Sequence, residues 1–307
     1  MTVSGFRAKS GGGRRFLMAG IFAVGAGALV ALASCSKQPP AQKPLVHTTK
    51  AFDDVFGAVP DLPIPGPCFA TVAYFPSSLE PDKFRPVPIF SLEQGKEEAL
   101  VVRTVIRGIE RGEGPVDSLL KEIVYPFPSG SELVSLSYDG GLAKVTVGGS
   151  FRGESLSAVQ KEKAAKTLAL TVSQFGKADR VEVTDESGAV RFGSVAKEAE
   201  AVDLGSPKAL GLMAIREGEG RPPSVLSVLF DRPVFIEDAA FYPSDGTVPI
   251  PGKVYSTGFG MTLEFHPEPK IFFDPATTYR VRLTVRDGKG RKADVAEEWK
   301  PKTVVRH

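Results

Sequence analysis

Between Phe16 and Ala33 the chain is mostly apolar and carries no charge. The fifteen residues before it hold four basic side chains, Arg7, Lys9, Arg14 and Arg15, and no acidic one. A basic head, an apolar stretch and then small residues form the pattern of a secretory signal. From Ser36 to about Pro67 the pattern dissolves into Pro, Lys and small polar residues, as in Gln38-Pro39-Pro40. Such a stretch buries little apolar surface and reads as an extended tether. Phe52, Val55, Phe56 and Val59 are an exception, spaced as a short amphipathic turn able to dock. The four prolines of 60–67 would end that turn.

From Cys68 onward the periodicity is that of strands and helices in alternation. Phe69–Phe75 predicts a strand stopped by Pro76, and Val87–Leu92 a second, with Pro88 suiting an edge or a strand start. Ala99, Val102, Val105 or Ile106, and Ile109 then recur at helical spacing, and Gly112, Gly114 and Pro115 end the helix. Glu132–Tyr138 and Leu142–Val147 flank Asp139-Gly140-Gly141, a hairpin signal because Gly accepts positive φ. Ser157 with Gln160 forms a capping box for a helix whose one face is Ala165, Leu168, Val172 and Phe175. Gly176 suits its C′ position. Arg180–Thr184 and Ala189–Phe192 close a last hairpin. The predicted order over 68–195 is ββαββαββ, an α+β module. Thr171 reads as helix surface and Phe175 as core.

Ser194–Ser206 reads as a short helix or an extended linker. From Pro207 the texture changes to short strand candidates between Pro/Gly turns: Val225–Phe230, Lys253–Tyr255, Met261–Phe265, Tyr279–Val285 and Glu298–Val304. Strands at this spacing without a helical period predict a β-sandwich.

Composition narrows the function more by exclusion than by assertion. The chain has 307 residues, 42% of them hydrophobic, enough for two globular modules. Of its 38 Lys and Arg, four lie in the basic head; the remaining 34 face 36 Asp and Glu. The mature part is therefore near neutral, which argues against nucleic-acid binding. Two cysteines are present, Cys35 and Cys68, and Cys68 opens an apolar run as a buried, inert thiol would. The three histidines, His47, His266 and His307, have no second His or Cys at metal-ligand spacing. Without a His near a Ser or Cys nucleophile, no catalytic triad is expected. Asp245-Gly246 and Asp287-Gly288 read as hairpin turns rather than calcium loops, because the repeated Asp/Asn spacing is missing. The adjacent carboxylates Glu97-Glu98 and Glu297-Glu298 read as solvated charge. No catalytic residue, cofactor or metal site is expected.

The apolar run ends in Leu32-Ala33-Ser34-Cys35, which resembles the bacterial lipobox. The resemblance implies a diacylglycerol on the Cys35 thiol and cleavage before Cys35; the alternative is an uncleaved signal-anchor helix. The organisation expected is a signal peptide over 1–34, the lipidated cysteine and tether over 35–67, the α+β module over 68–195, a linker over 196–206 and the sandwich over 207–307. The signposts Tyr74-Phe75, Val87–Leu92, Ala99-Leu100, Gly114-Pro115, Pro128–Ser131, Asp139-Gly140, Thr167–Phe175 and Val181–Val183 together resemble the GerMN domain of sporulation and spore-germination proteins. Phe230–Val234, Leu263–Pro267, Pro275–Tyr279 and Val285–Gly290 resemble bacterial Ig-like domains, with Tyr279 as a corner tyrosine. These resemblances imply an extracytoplasmic scaffold or binding lipoprotein of the cell envelope, linked to peptidoglycan remodelling or to sporulation and germination. Its partners would be the membrane, through the lipid on Cys35, and an envelope protein or peptidoglycan. The alternatives are a cell-wall hydrolase with a carboxylate site between the modules and a small-ligand-binding lipoprotein.

Overall fold

The computed structural model describes residues 46–61, 66–109 and 116–306. The signal segment, Cys35, the Gly112–Pro115 signpost and His307 lie outside the described residues. What is described is mostly β, in four sheets.

The stretch expected as a tether begins with β1 (Val46–Thr48) and α1 (Lys50–Val55). Thr49 caps α1, its Oγ1 accepting from the Phe52 amide at 3.2 Å. Phe52 and Phe56 are fully buried, with Val55 and Val59 half-buried beside them. Residues 46–61 are thus part of the folded body, and the tether reading fails for them. The short amphipathic turn is what anchors them, because two buried Phe side chains outweigh the polar composition around them.

β2 (Cys68–Pro76) and β3 (Lys83–Ser91) form an antiparallel hairpin. β1 runs parallel to β2 only as far as Ala70. Beyond it, side chains of a helix take over the free edge of β2. The Val72 amide donates to Gln174 Oε1 at 2.9 Å, and Gln174 Nε2 returns a bond to the Val72 carbonyl at 2.8 Å. The Tyr74 amide donates to Thr171 Oγ1 at 3.4 Å. Thr171 is wholly buried, so the expectation that it lies on the helix surface is corrected. A carboxamide can match one residue of a strand edge because it carries one donor and one acceptor group at similar spacing.

α2 (Glu97–Arg107) buries Val101, Val102, Val105 and Ile106. Ala99, expected on that face, is only half-buried, so the core stripe is rotated toward Val101. After α3 (Asp117–Leu120) come β4 (Ser131–Asp139) and β5 (Leu142–Gly149), joined through Gly140 and Gly141 at φ 53 and 80°. α4 (Ala158–Ser173) starts with the full Ser157/Gln160 capping box. β6 (Arg180–Asp185) lies parallel to β5 and β7 (Arg191–Val195) antiparallel to β6. The sheet order is β4-β5-β6-β7. α2 and α4 contact both this sheet and β2, so one core joins helices and sheets. Phe175 sits half-buried against that core.

The expected linker is docked rather than free. β8 (Glu200–Ala201) pairs with Lys83 and Phe84 of β3, and Leu204 is buried with Phe52 and Phe56. The remaining chain forms β9 (Ala209–Glu217), β10 (Val225–Phe230), β11 (Val234–Pro243), β12 (Gly252–Thr257), β13 (Thr262–Pro267), β14 (Tyr279–Asp287), β15 (Lys292–Trp299) and β16 (Lys302–Arg306). β12-β13-β10-β9-β16 makes one sheet and β11-β14-β15 another. A core from both sheets, with Phe241 stacked on Phe265 at 4.5 Å, fills the space between. β9 and β11 were not predicted. The single strand expected over Glu298–Val304 is two, interrupted at Lys300-Pro301 and placed in different sheets. Asp245-Gly246 is a turn, but it carries the chain from β11 to the other sheet instead of closing a hairpin.

Candidate functional site

Two features stand out where the sandwich meets the helical half: a buried chain of charges and, near it, an open groove. The chain starts at Arg85 on β3. Arg85 Nη2 meets Asp231 Oδ2 at 2.8 Å and Glu122 Oε2 at 3.4 Å. Arg232, with its side chain 1% exposed, binds Asp231 through Nε at 3.1 Å and Nη2 at 2.8 Å. Its Nη1 donates to the Gly205 carbonyl at 2.8 Å and lies 3.4 Å from Asp287 Oδ2. Asp287, fully buried, holds Arg291 Nε at 2.6 Å. Arg291 in turn donates to the carbonyls of Leu204, at 2.6 Å, and Val55, at 2.9 Å.

These contacts tie β3, α1, the 204–205 segment and both sandwich sheets to one another. Buried charges are tolerated when each is paired and hydrogen-bonded, and here every carboxylate has at least two donors. Gly57, at φ 72°, pairs with Gly288 at the β14–β15 turn, where an added Cβ would lie 2.3 Å from backbone. The strap 46–61 therefore touches both halves. Asp287-Gly288 is a turn, as expected, yet its carboxylate is spent on arginines and on the Lys289 and Arg291 amides, both at 3.0 Å.

The groove encloses about 390 Å³ and is lined by Phe90, Ser91 and Leu92 at the end of β3, Glu93 and Lys96 beyond it, Ala99, Leu100 and Arg103 of α2, and Phe259. Phe259 comes from the sandwich and stacks on Phe90 with ring centroids 4.5 Å apart and planes 10° apart. It sits at φ 60°, ψ 29° between Gly258 and Gly260. A bulky residue in that region costs about 1–2 kcal/mol, which the surrounding packing must offset. Glu93 is ion-paired to Lys96 at 2.6 Å. Arg103 is exposed and has no ion pair or hydrogen bond among the described residues.

The residues singled out in the sequence do not converge. His47 stacks on Phe69, 5.0 Å between centroids. His266 Nε2 lies 3.4 Å from Glu264 on the sandwich. Cys68 is buried, and burial pushes its thiol up to about 11. Glu98 is no solvated charge: it accepts from Tyr138 Oη and from Lys177 Nζ, the latter at 2.7 Å. Burial, and then the bond to Glu98, raise the Tyr138 hydroxyl far above its ordinary value. Among the described residues no three His, Cys, Asp or Glu side chains group as a metal site. The groove and the charge chain were both missed. The Gly-Phe-Gly triplet and the Phe230-Asp231-Arg232-Pro233 run were the signals available.

No protein-family model and no curated protein matches the sequence. Several solved structures show partial likeness, and two of them mark its extent. One is the methionine-rich copper resistance protein PcoC from Escherichia coli, 14% identical, over 33% of this chain and 99% of that one, with a TM-score of 0.24. The other is the tandem GerMN domains of the sporulation protein GerM from Bacillus subtilis, 13% identical, over 53% of this chain and 59% of that one, with a TM-score of 0.33. Likenesses this slight carry no argument about function.

Proposed function

We propose that this chain is a lipid-anchored, extracytoplasmic binding or scaffold protein of the cell envelope and that it works without catalysis. It joins the membrane through Cys35 and presents a GerMN-like α+β module fixed against an Ig-like sandwich. The observation that carries the binding role is the groove at the fixed junction. It has an aromatic floor and a charged rim, in a size range typical of binding sites. The partner would be an envelope protein or peptidoglycan, and a role in peptidoglycan remodelling or sporulation follows from the sequence resemblance.

The GerMN-like reading is supported by the run of β2, β3, α2, β4, β5, α4, β6 and β7, with the short α3 between α2 and β4. The Ig-like reading is supported by two facing sheets, one in the order β12-β13-β10-β9 with β16 added parallel to β9, the other in the order β11-β14-β15. Tyr279 adds to it, accepting the Asp274 amide at 3.0 Å from the start of β14, as a corner tyrosine does. The rival hydrolase needs two facing carboxylates about 5–10 Å apart. Among the described residues Glu93 is the one carboxylate lining the groove, and Lys96 already holds it.

Anchoring is tested by labelling cells with a fatty-acid probe. The wild-type chain is expected to take the label and sediment with membranes, and Cys35→Ala to do neither. Equal labelling of Cys35→Ala would sink the lipoprotein reading.

A further inference from the structure

The groove lies at the end of a strand edge, and that edge says what kind of partner fits. In an antiparallel pair, alternate residues turn their N–H and C=O toward and away from the partner strand. Val72 and Tyr74 of β2 send their amides to Gln174 and Thr171, away from β3. Their opposite numbers on β3 are Pro88 and Pro86, which have no N–H to give. The even-numbered residues of β3 therefore face its outer edge. The Phe84 carbonyl confirms the phase, because it accepts the Val202 amide on that side. β8 covers this edge only at Lys83 and Phe84. Pro86 and Pro88 then keep it from pairing, as prolines do on edge strands. The position left for pairing is Phe90, inside the groove.

The walls of the groove come from both faces of the sheet. α2 supplies Ala99, Leu100 and Arg103 on one side, while Phe90, packed on Phe52, and Phe259 form the other. The opening thus lies at the Phe90 end of the β3 edge. The charged side chains lining it carry a surplus of one positive charge: Glu93 is paired to Lys96 and lies in the field of Arg103, which makes no ion pair among the described residues.

We propose that the groove binds an extended acidic peptide segment. The segment adds as a short strand at Phe90, sets an apolar side chain on the Phe90–Phe259 stack and places a carboxylate against Arg103. Main-chain bonds to a sheet edge supply affinity in this mode and side-chain pockets supply specificity. The proposal rests on the reading of the chain as a binding protein and names the partner of that same site.

The test is selection of a random-peptide display library on the full-length, lipidated protein in detergent. Selected peptides are then resynthesised with a fluorophore and titrated by anisotropy. Enriched sequences are expected to carry Asp or Glu within a few residues of a bulky apolar side chain. Arg103→Glu, on an exposed helix face, should keep the wild-type melting temperature and weaken binding at least tenfold. N-methylation of the pairing amide of the peptide should do the same. Failure to enrich any peptide, enrichment of basic or neutral peptides, or titrations indifferent to both changes would overturn the proposal. So would binding of phosphatidylglycerol vesicles through Arg103 in place of peptides, which would make the site a lipid contact. Lipid labelling at Cys35, read on the same preparation, reports separately on the envelope reading.

Discussion

Arg232→Met tests whether the buried charges hold the two halves together. Methionine keeps most of the side-chain length and removes the guanidinium. The substitution deletes two bonds to Asp231, at 3.1 and 2.8 Å, one to the Gly205 carbonyl at 2.8 Å and the 3.4 Å approach to Asp287. Removing one partner of a buried ion pair costs about 3–5 kcal/mol. The low end applies here, because neither carboxylate is stranded. Asp231 keeps Arg85 at 2.8 Å and the Lys208 amide at 2.9 Å, and Asp287 keeps Arg291 at 2.6 Å. A loss of about 3 kcal/mol corresponds to a melting temperature lower by roughly 6–12 °C for a chain of this size. The control is Lys253→Met, which breaks an ion pair whose side chains are 61% and 59% exposed. Exposed pairs of that kind contribute little to stability. Urea denaturation followed by circular dichroism measures both. A cost for Arg232→Met below about 1 kcal/mol, or one matching the control, would refute the claim that this chain of charges fixes the junction.

Two further outcomes follow from the same packing. Gln174→Leu leaves the Val72 N–H and C=O without partners, so it should lower stability by about 1–3 kcal/mol, and an unchanged urea midpoint would show that the carboxamide is dispensable. Cys68, raised from 9.0 to about 11 by burial, should resist iodoacetamide in the native state. Its folded pKa exceeds the unfolded one, so the stability linked to its proton is complete below pH 9 and is lost as pH rises toward 11. Relative to Cys68→Ala, the wild type should lose stability across that window, and parallel pH profiles would contradict the burial of the thiol.

Local signals in the sequence were legible and long-range ones were not. The capping box at Ser157, the hairpin glycines Gly140 and Gly141, and the docking of Phe52 and Phe56 all follow from spacing within a few residues. β9 escaped notice because Ala209–Ile215 is apolar without alternation, and β11 because Glu237 and Asp238 sit at a bulge that breaks its period. The charge chain joins Arg85 to Asp231, 146 residues apart, and no periodicity encodes such a pairing. Arg232 looks like surface composition until the fold closes over it. The groove is hidden for the same reason. Phe90 reads as the end of a strand and Phe259 as a turn residue, and only the junction of the two halves stacks them.

The claim at the centre of the account is that a membrane-held chain binds its partner through the groove, and site-specific photocrosslinking in intact cells tests it most directly. A photoreactive residue replaces Leu92, 49% exposed at the groove, or Val134, 52% exposed on β4, in the full-length protein. The expected result is a discrete membrane-associated adduct from position 92 that disappears with Arg103→Glu, and none from position 134. Equal adducts from both positions, or an adduct at 92 that persists with Arg103→Glu, would contradict it.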